Sequence, residues 1–292
     1  MVSDCREFSF EFFPPKTDQG LAQLSVVAQS LSTFDPAYCS VTFGAGGSVQ
    51  SRTQETVAAL QSTISVAVVP HISCVGGTCD VIRAILRQYQ DQGVNRLVVL
   101  RGDLPQEQAA PQAELPFARD LVAFIRAEFA DAFDISVACY PESHPESDHA
   151  QADFDFFRQK VEAGANRAIT QYFYNIEAYE RFLERVQQAN LQLPIVPGIM
   201  PIHNLESLQR FSRRCGADLP QWLLKELAVY QDDVASMRLK GIEIVTRLCD
   251  QLLQLGAPGL HFYTLNQTDA TTAIIKNCQS LGYVSETQVV PG

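Results

Sequence analysis

The chain alternates between short apolar runs and helical stretches, and that order constrains its fold more than any other feature. Eight apolar runs recur along 292 residues: Phe8–Phe13, Ala37–Phe43, Ser65–Ile72, Arg96–Leu100, Asp134–Tyr140, Arg167–Phe173, Pro194–Met200 and Gly259–Tyr263. Each is followed by residues at helical spacing. After Thr17, a candidate N-cap, Leu21, Leu24, Val27, Ala28 and Leu31 fall on one face. Val81, Ile82, Ile85, Leu86 and Tyr89 do the same in Thr78–Asp91. Strict strand-then-helix order implies parallel strands joined by right-handed crossovers. Eight such units predict an α/β fold closed as a (β/α)8 TIM barrel, with an open doubly wound sheet as the other arrangement. Between strands seven and eight the helix Leu205–Cys215 is followed by two more, Pro220–Leu227 and Asp232–Leu255. No composition break or low-complexity linker divides the chain, so residues 1–292 are expected to form one barrel domain.

In such barrels chemistry collects where the strands end. The first strand ends in Ser9-Phe10-Glu11-Phe12-Phe13-Pro14-Pro15, a single carboxylate among aromatics, stopped by two prolines that cannot donate ladder hydrogen bonds. Apolar neighbours should make Glu11 expensive to ionise and raise its pKa. A rise of two units corresponds to about 2.7 kcal/mol and would suit a general acid. The alternative reading is a strand-end ion pair. Phe10 and Phe12 alternate with Glu11 and should point away from the lumen. Other strands also end in polar groups: Thr42, His71, Arg101 with Asp103, Tyr140 with His144, Gln171, and Tyr263 with Asn266. Any one could be a cap or a satisfied loop residue; together they describe a polar ring above an apolar barrel.

Composition narrows the function. A net charge of −11 argues against a general nucleic-acid surface, though local Arg and Lys can still hold an anionic ligand. The eight cysteines include no C-x-x-C pair and no zinc spacing, so no metal site is expected. Met1–Glu7 lacks a signal pattern and no apolar run approaches a membrane span, which leads to the expectation of a cytoplasmic protein. Gly44-Ala45-Gly46-Gly47-Ser48 fails as a Rossmann fingerprint because Val49 stands where the last glycine belongs. Walker A, H-E-x-x-H and G-x-S-x-G motifs are absent.

Several segments, in order, resemble one family. Ser9–Pro15, Ser40–Ala45, Pro70-His71, Leu100–Pro105, Tyr140–Glu142 with His144–Glu146, Ala163–Gln171 and His261–Asn266 are similar to methylenetetrahydrofolate reductase, over essentially the whole chain. The resemblance implies a barrel that binds FAD and passes a hydride from NADH or NADPH to 5,10-methylenetetrahydrofolate by a ping-pong route. The product, 5-methyltetrahydrofolate, feeds methionine biosynthesis. Glu11 matches the general acid that opens the methylene bridge, and Asp103 a carboxylate near flavin and pterin. Thr42, Phe43, Ala45, His71, Arg101, Gly102, Asp103, Ala118, Tyr140, His144, Asp153, Gln159 and Lys160 match positions that line the FAD or nicotinamide site. Glu11, Asp103, Gln171, Phe211, Tyr263 and Gln267 match positions that meet the folate. The physics agrees: Arg101 and Lys160 can meet pyrophosphate charge, and Tyr140 offers a ring and a hydroxyl.

The chain also departs from the family's bacterial pattern. Phe156 and Gln159 replace an Asn and an Arg at positions that touch the AMP half of FAD. Ser207 and Gln267 replace a Gln and an Arg that often contact folate. These departures put FAD and folate affinity at issue rather than the reaction. The sequence leaves no room for the C-terminal regulatory domain of eukaryotic members, so no inhibition by S-adenosylmethionine is expected. A homo-oligomer is expected because acidic, single-domain relatives commonly assemble. A carboxylate-pair hydrolase, using Glu11 with Glu142 or Asp103, is the rival enzyme class. Its usual tryptophan-lined subsites are missing, since the single Trp222 lies far from any strand end.

Overall fold

The computed structural model describes residues 7–43, 47–74, 77–102 and 114–282. Its strands are β1 (Glu7–Phe12), β2 (Tyr38–Val41), β3 (Val68–Ser73), β4 (Arg96–Leu100), β5 (Asp134–Cys139), β6 (Arg167–Thr170), β7 (Ile195–Val196), β8 (Gly198–Ile199) and β9 (Gly259–Tyr263). All pairings are parallel, in the order β7-β6-β5-β4-β3-β2-β1-β9-β8.

The two ends of that order, β7 and β8, are consecutive pieces of one segment, so the sheet curls back on itself as the expected barrel. The seventh strand is split where the sequence predicted one run. Pro197 between the pieces has no N–H to donate, and β7 pairs with β6 while β8 pairs with β9. The Pro197 carbonyl still accepts from His261 N at 3.0 Å. Closure also depends on Gly198. A Cβ there would lie 2.3 Å from the Thr170 carbonyl oxygen and 2.6 Å from the Tyr263 ring.

Helices α1 (Asp18–Ser32), α2 (Gly47–Thr63), α3 (Cys79–Asp91), α4 (Ala118–Phe129), α5 (Ala150–Glu162), α6 (Ile176–Gln188), α7 (Leu205–Cys215), α8 (Gln221–Ala228), α9 (Val234–Gln254) and α10 (Asp269–Ser280) accompany the strands. Thr17 and Thr78 cap α1 and α3 by accepting from Gly20 N and Val81 N. The three helices α7, α8 and α9 stand between β8 and β9, as expected. Val81, placed on the apolar face in the sequence reading, is exposed; it lies in the first turn of α3, ahead of the buried Ile82, Ile85, Leu86 and Tyr89.

Alternation along β1 divides the interior. Phe8, Phe10 and Phe12 join the main core, with Phe10 and Phe12 fully buried and the Phe8 and Phe10 rings packed on Phe262. Ser9 and Glu11 take the opposite face and look into the lumen. Within the barrel, Tyr38, Val69, Val98 and Ile169 form a separate small apolar cluster. At the strand starts, Arg167 pairs with Asp134 at 3.2 Å, and Arg96 lies 3.7 Å from the same carboxylate. Apolar packing and charge pairing thus fill the lumen below, and polar side chains collect at the strand ends above.

Candidate active site

Three strands bring the central cluster together. Glu11 of β1 places its Oε2 atom 3.3 Å from His71 Nε2 of β3 and 3.3 Å from His261 Nε2 of β9. His261 is fully buried and His71 nearly so. On its other side, His261 Nδ1 lies 2.8 Å from Ser9 Oγ. With Nε2 protonated, His261 donates to the carboxylate and accepts from the Ser9 hydroxyl. Thr264 fixes the Glu11 main chain, its Oγ1 donating to the Glu11 carbonyl at 2.7 Å.

This geometry corrects the expected pKa of Glu11. Burial does push the carboxyl up, but the charge of His71 and hydrogen bonding from His261 and His71 outweigh it and hold the value at about 2. The wall around Glu11 is not apolar on every side: two imidazoles reach it from strands distant in sequence. The ligand-free carboxylate is therefore ionised at neutral pH.

A cavity of about 340 Å³ opens above β4 and β5 and between α4 and α5; Glu11, His71 and His261 are not among the residues that line it. Arg101, Gly102, Ala118, Tyr140, His144, Asp153 and Lys160 line it, seven of the residues predicted to hold a cofactor. Arg101 follows β4 and reaches Glu146 Oε2 at 2.6 Å. Gly102 has φ 88°, a conformation that favours glycine and lets the chain turn at the cavity wall. Tyr140 and His144 meet edge to face, with ring centroids 4.7 Å apart. The Lys160 ammonium turns inward to donate to the Ala138 carbonyl at 2.6 Å. Burial lowers the pKa of Lys160 and of His144, and raises that of Asp153. A desolvated cation aimed at an anionic ligand gains more than one in water.

The remaining predicted residues divide. Thr42 and Phe43 follow β2, and Thr42 N donates to the Phe12 carbonyl at 2.9 Å, beside Glu11. Gln171 follows β6, where its Oε1 accepts from Tyr172 N at 3.0 Å. Tyr263 is tied by its hydroxyl to the Thr170 carbonyl at 2.7 Å and meets the His261 ring edge to face. Phe211 lies on α7 under the Arg210 guanidinium, 5.5 Å from its ring centre. Gln267 is exposed in the turn after β9. Ala45 and Asp103 lie outside the described residues. Gln159 does not line the cavity; its Oε1 accepts from Arg119. Among the substituted positions, Phe156 borders the cavity, and Ser207 N is capped by Asn204 Oδ1 at 2.8 Å.

Sequence reasoning missed four contributors: His261, Ser9, Arg119 and Phe117. His261 and Ser9 sit two residues before Tyr263 and Glu11 on the same strand faces, so a period-two reading could have placed them in the lumen. Asn266, named in the sequence as a polar strand end, has φ 56° and exchanges two hydrogen bonds with the Phe13 backbone at 3.0 and 2.9 Å, which pins the end of β1. Arg119 and its neighbour Phe117 border the cavity from α4, a contact that no local pattern marked. Among the described residues, no group of three His, Cys, Asp or Glu is placed to hold a metal ion. Among the same residues, no helix is long and apolar enough to cross a membrane.

Comparison with known proteins places this geometry in context. A family-level sequence profile for methylenetetrahydrofolate reductase matches residues 3–279. The 5,10-methylenetetrahydrofolate reductase of Escherichia coli K12 is 38% identical over 274 residues, which cover 94% of this chain and 90% of that protein. Methylenetetrahydrofolate reductase (NADH) 1 of Arabidopsis thaliana is 35% identical over 97% of this chain and 49% of its own length. Among solved structures, a Clostridium thermocellum protein described as binding two copies of 5-methyl-5,6,7,8-tetrahydrofolic acid superposes with TM-score 0.64 at 17% identity, covering 96% of each chain. At that identity the likeness concerns the fold.

Proposed function

The chain belongs to the methylenetetrahydrofolate reductase family, whose reaction reduces 5,10-methylenetetrahydrofolate to 5-methyltetrahydrofolate, and we propose that it does so with FAD as hydride carrier and NADH or NADPH as donor. The observation that carries the reading is that one barrel holds both the buried Glu11–His71–His261 cluster and a cavity walled by Arg101 and Lys160.

The residues fit a flavin dinucleotide. His71 has hydrogen-bonding capacity to spare, since its buried Nδ1 has no partner. Arg101 and Lys160 supply charge for a diphosphate, and Tyr140 supplies a ring face. When bound, FAD accepts a hydride from the nicotinamide and returns one to the folate's one-carbon unit. Asp103 and Ala45 belong to the same proposal, as do Thr42, Phe43, Gly102, Ala118, His144 and Asp153 on the cofactor side. Gln171, Phe211, Tyr263 and Gln267 are proposed to hold the folate.

Glu11 is the proposed acid. In the open site its charge is stabilised by the imidazoles, so it begins as an acceptor. A bound pterin covers the 17% of its side chain still exposed and strengthens the desolvation that favours the protonated form. His261, backed by Ser9, is 3.3 Å away and orients the carboxyl, while the proton itself comes from solvent before the pterin covers the site. Opening of the methylene bridge then draws a proton from Glu11 to the departing nitrogen.

Anaerobic mixing tests the reading. Yellow protein, bleached by a reduced nicotinamide and recoloured by methylenetetrahydrofolate, supports it; protein that cannot be reconstituted with FAD contradicts it. The proposal includes cytoplasmic methionine biosynthesis, checked by rescue of a methionine auxotroph lacking the reductase. It also includes a homo-oligomer, checked by sedimentation; exposed Val229, Val234 and Leu239 on and before α9 are consistent with one.

A further inference from the structure

We infer that Glu142 is a positioning residue: it ties the loop that carries Tyr140 and His144 to the turn after α7, and so holds the cofactor side of the barrel mouth in register with the folate side. The inference rests on the function proposed above.

Residues 140–149 join β5 to α5. Glu142 Oε2 accepts from Asp218 N, in the turn that leaves α7, at 2.8 Å. The second acid of the rival hydrolase reading thus directs its carboxylate to a backbone N–H. Another contact joins the same two segments. Gly216 ends α7 with φ 75°, and a Cβ on it would lie 2.8 Å from Pro145 Cδ. Tyr140, Glu142, Gln171, Tyr172, Cys215 and Gly216 line one narrow gap, so residues proposed for cofactor and for folate meet there. Across that gap the Tyr172 hydroxyl lies 3.0 Å from Ser212 Oγ and accepts from Cys215 Sγ at 3.3 Å, which fixes the end of α7. Phe211 stands on this helix.

The loop does not hold its own shape. Ser143 has φ 107°, a conformation that a non-glycine residue keeps when its surroundings impose it. His144 Nδ1 accepts from Glu146 N at 3.1 Å, and Glu146 is bound in turn by Arg101. The loop is therefore anchored from two sides, by Arg101 after β4 and by Asp218 after α7. Loss of the second anchor frees Ser143 to relax and lets Tyr140 and His144 shift against α7.

The same contact responds to pH. Asp218 from the turn, Arg181 from α6, and Tyr172 and Cys215 across the gap face Glu142, with Tyr140 beside it. Burial, joined by the Asp218 charge, pushes the Glu142 carboxyl from 4.5 up to about 7, against the Asp218 N–H and the Arg181 charge, which pull it down. The docked loop thus binds a proton more readily than a loose one, and docking weakens as pH rises from 4.5 towards 7.

The test compares full-length wild type with Glu142→Gln, which keeps an oxygen acceptor but does not ionise, and Glu142→Ala, which removes the acceptor. Circular dichroism verifies folding. FAD affinity is read by titrating flavin-freed protein, and the KM for methylenetetrahydrofolate on FAD-loaded protein. At pH 6, Glu142→Ala is expected to raise both constants roughly tenfold with kcat within about threefold, while Glu142→Gln matches wild type within about twofold. Between pH 6 and pH 8 the wild-type constants should rise several-fold relative to those of Glu142→Gln. Alanine constants equal to wild type, a loss confined to one ligand, or superimposable pH profiles for wild type and Glu142→Gln overturn the assignment. If the alanine variant does not fold, the pH comparison with Glu142→Gln decides. Active wild type with unaffected variants sinks this assignment alone; wild type that binds no FAD overturns the function reading and this assignment with it.

Discussion

Glu11 Oε2 and His261 Nε2 lie 3.3 Å apart inside the barrel, and Ser9 Oγ closes on the opposite ring nitrogen at 2.8 Å. The carboxylate at the strand end is thus joined to a buried hydroxyl through an imidazole. This connection fixes the orientation of the Glu11 carboxylate from inside the barrel.

Removal of the acid should separate the two halves of turnover. In Glu11→Gln, folate reduction is expected to fall by roughly 10²- to 10⁴-fold. Reduction of the flavin by nicotinamide should persist near the wild-type rate. Stopped-flow measurement of each half-reaction checks this, and equal losses in both would remove Glu11 from the acid role.

The depressed carboxyl also predicts an acid limb in stability. Its folded value of about 2 lies below the ordinary 4.5, so the folded state binds fewer protons than the unfolded state between these values. The stabilisation is present above pH 4.5 and lost as pH falls towards 2. It amounts to about 3 kcal/mol. Denaturant titrations across this range should show wild type losing that margin relative to Glu11→Gln; parallel pH profiles would contradict the ion pairing.

Lys160 should trade stability for binding. Burial lowers its pKa from 10.5, so the folded state binds fewer protons just below that value and stability rises with pH there. Lys160→Met removes the desolvated charge and is expected to melt no lower than wild type at neutral pH without flavin. FAD affinity should fall roughly tenfold or more as the charge-assisted bond is lost. Melting curves and flavin titration together check both effects.

Barrel closure should fail at Gly198. Alanine there would press on the Thr170 carbonyl and the Tyr263 ring, where β8 passes between them. Thr170 Oγ1 also accepts from Gly198 N at 2.9 Å, so the backbone has little room to retreat. Gly198→Ala is expected to cost about 3 kcal/mol, read as a lowered denaturant midpoint.

The fold was legible because its signal repeats. Each strand-helix unit announces itself locally, and the alternation of Phe10, Glu11 and Phe12 fixed which way β1 faces. The split at Pro197 was less legible, because a short apolar run with a proline reads as one strand until its two neighbours are known. The site was legible where residues end strands, as with His71, Arg101 and Tyr140. The sign of the Glu11 shift was not, because the groups that decide it come from β3 and β9. His261 is 250 positions away in sequence, and nothing local to Ser9–Pro15 records it. Arg119 was hidden for the same reason: it borders the cavity only through the gap between two helices.

The central claim is hydride transfer from nicotinamide to folate through a flavin held in this barrel. The most direct measurement is anaerobic stopped-flow absorbance of the FAD-loaded protein, first with NADH or NADPH and then with 5,10-methylenetetrahydrofolate. The account predicts loss of the flavin band in the first mix and its return in the second, with 5-methyltetrahydrofolate formed in equal amount. A flavin band that does not bleach with either nicotinamide, or a reduced protein that methylenetetrahydrofolate fails to reoxidise, would contradict it.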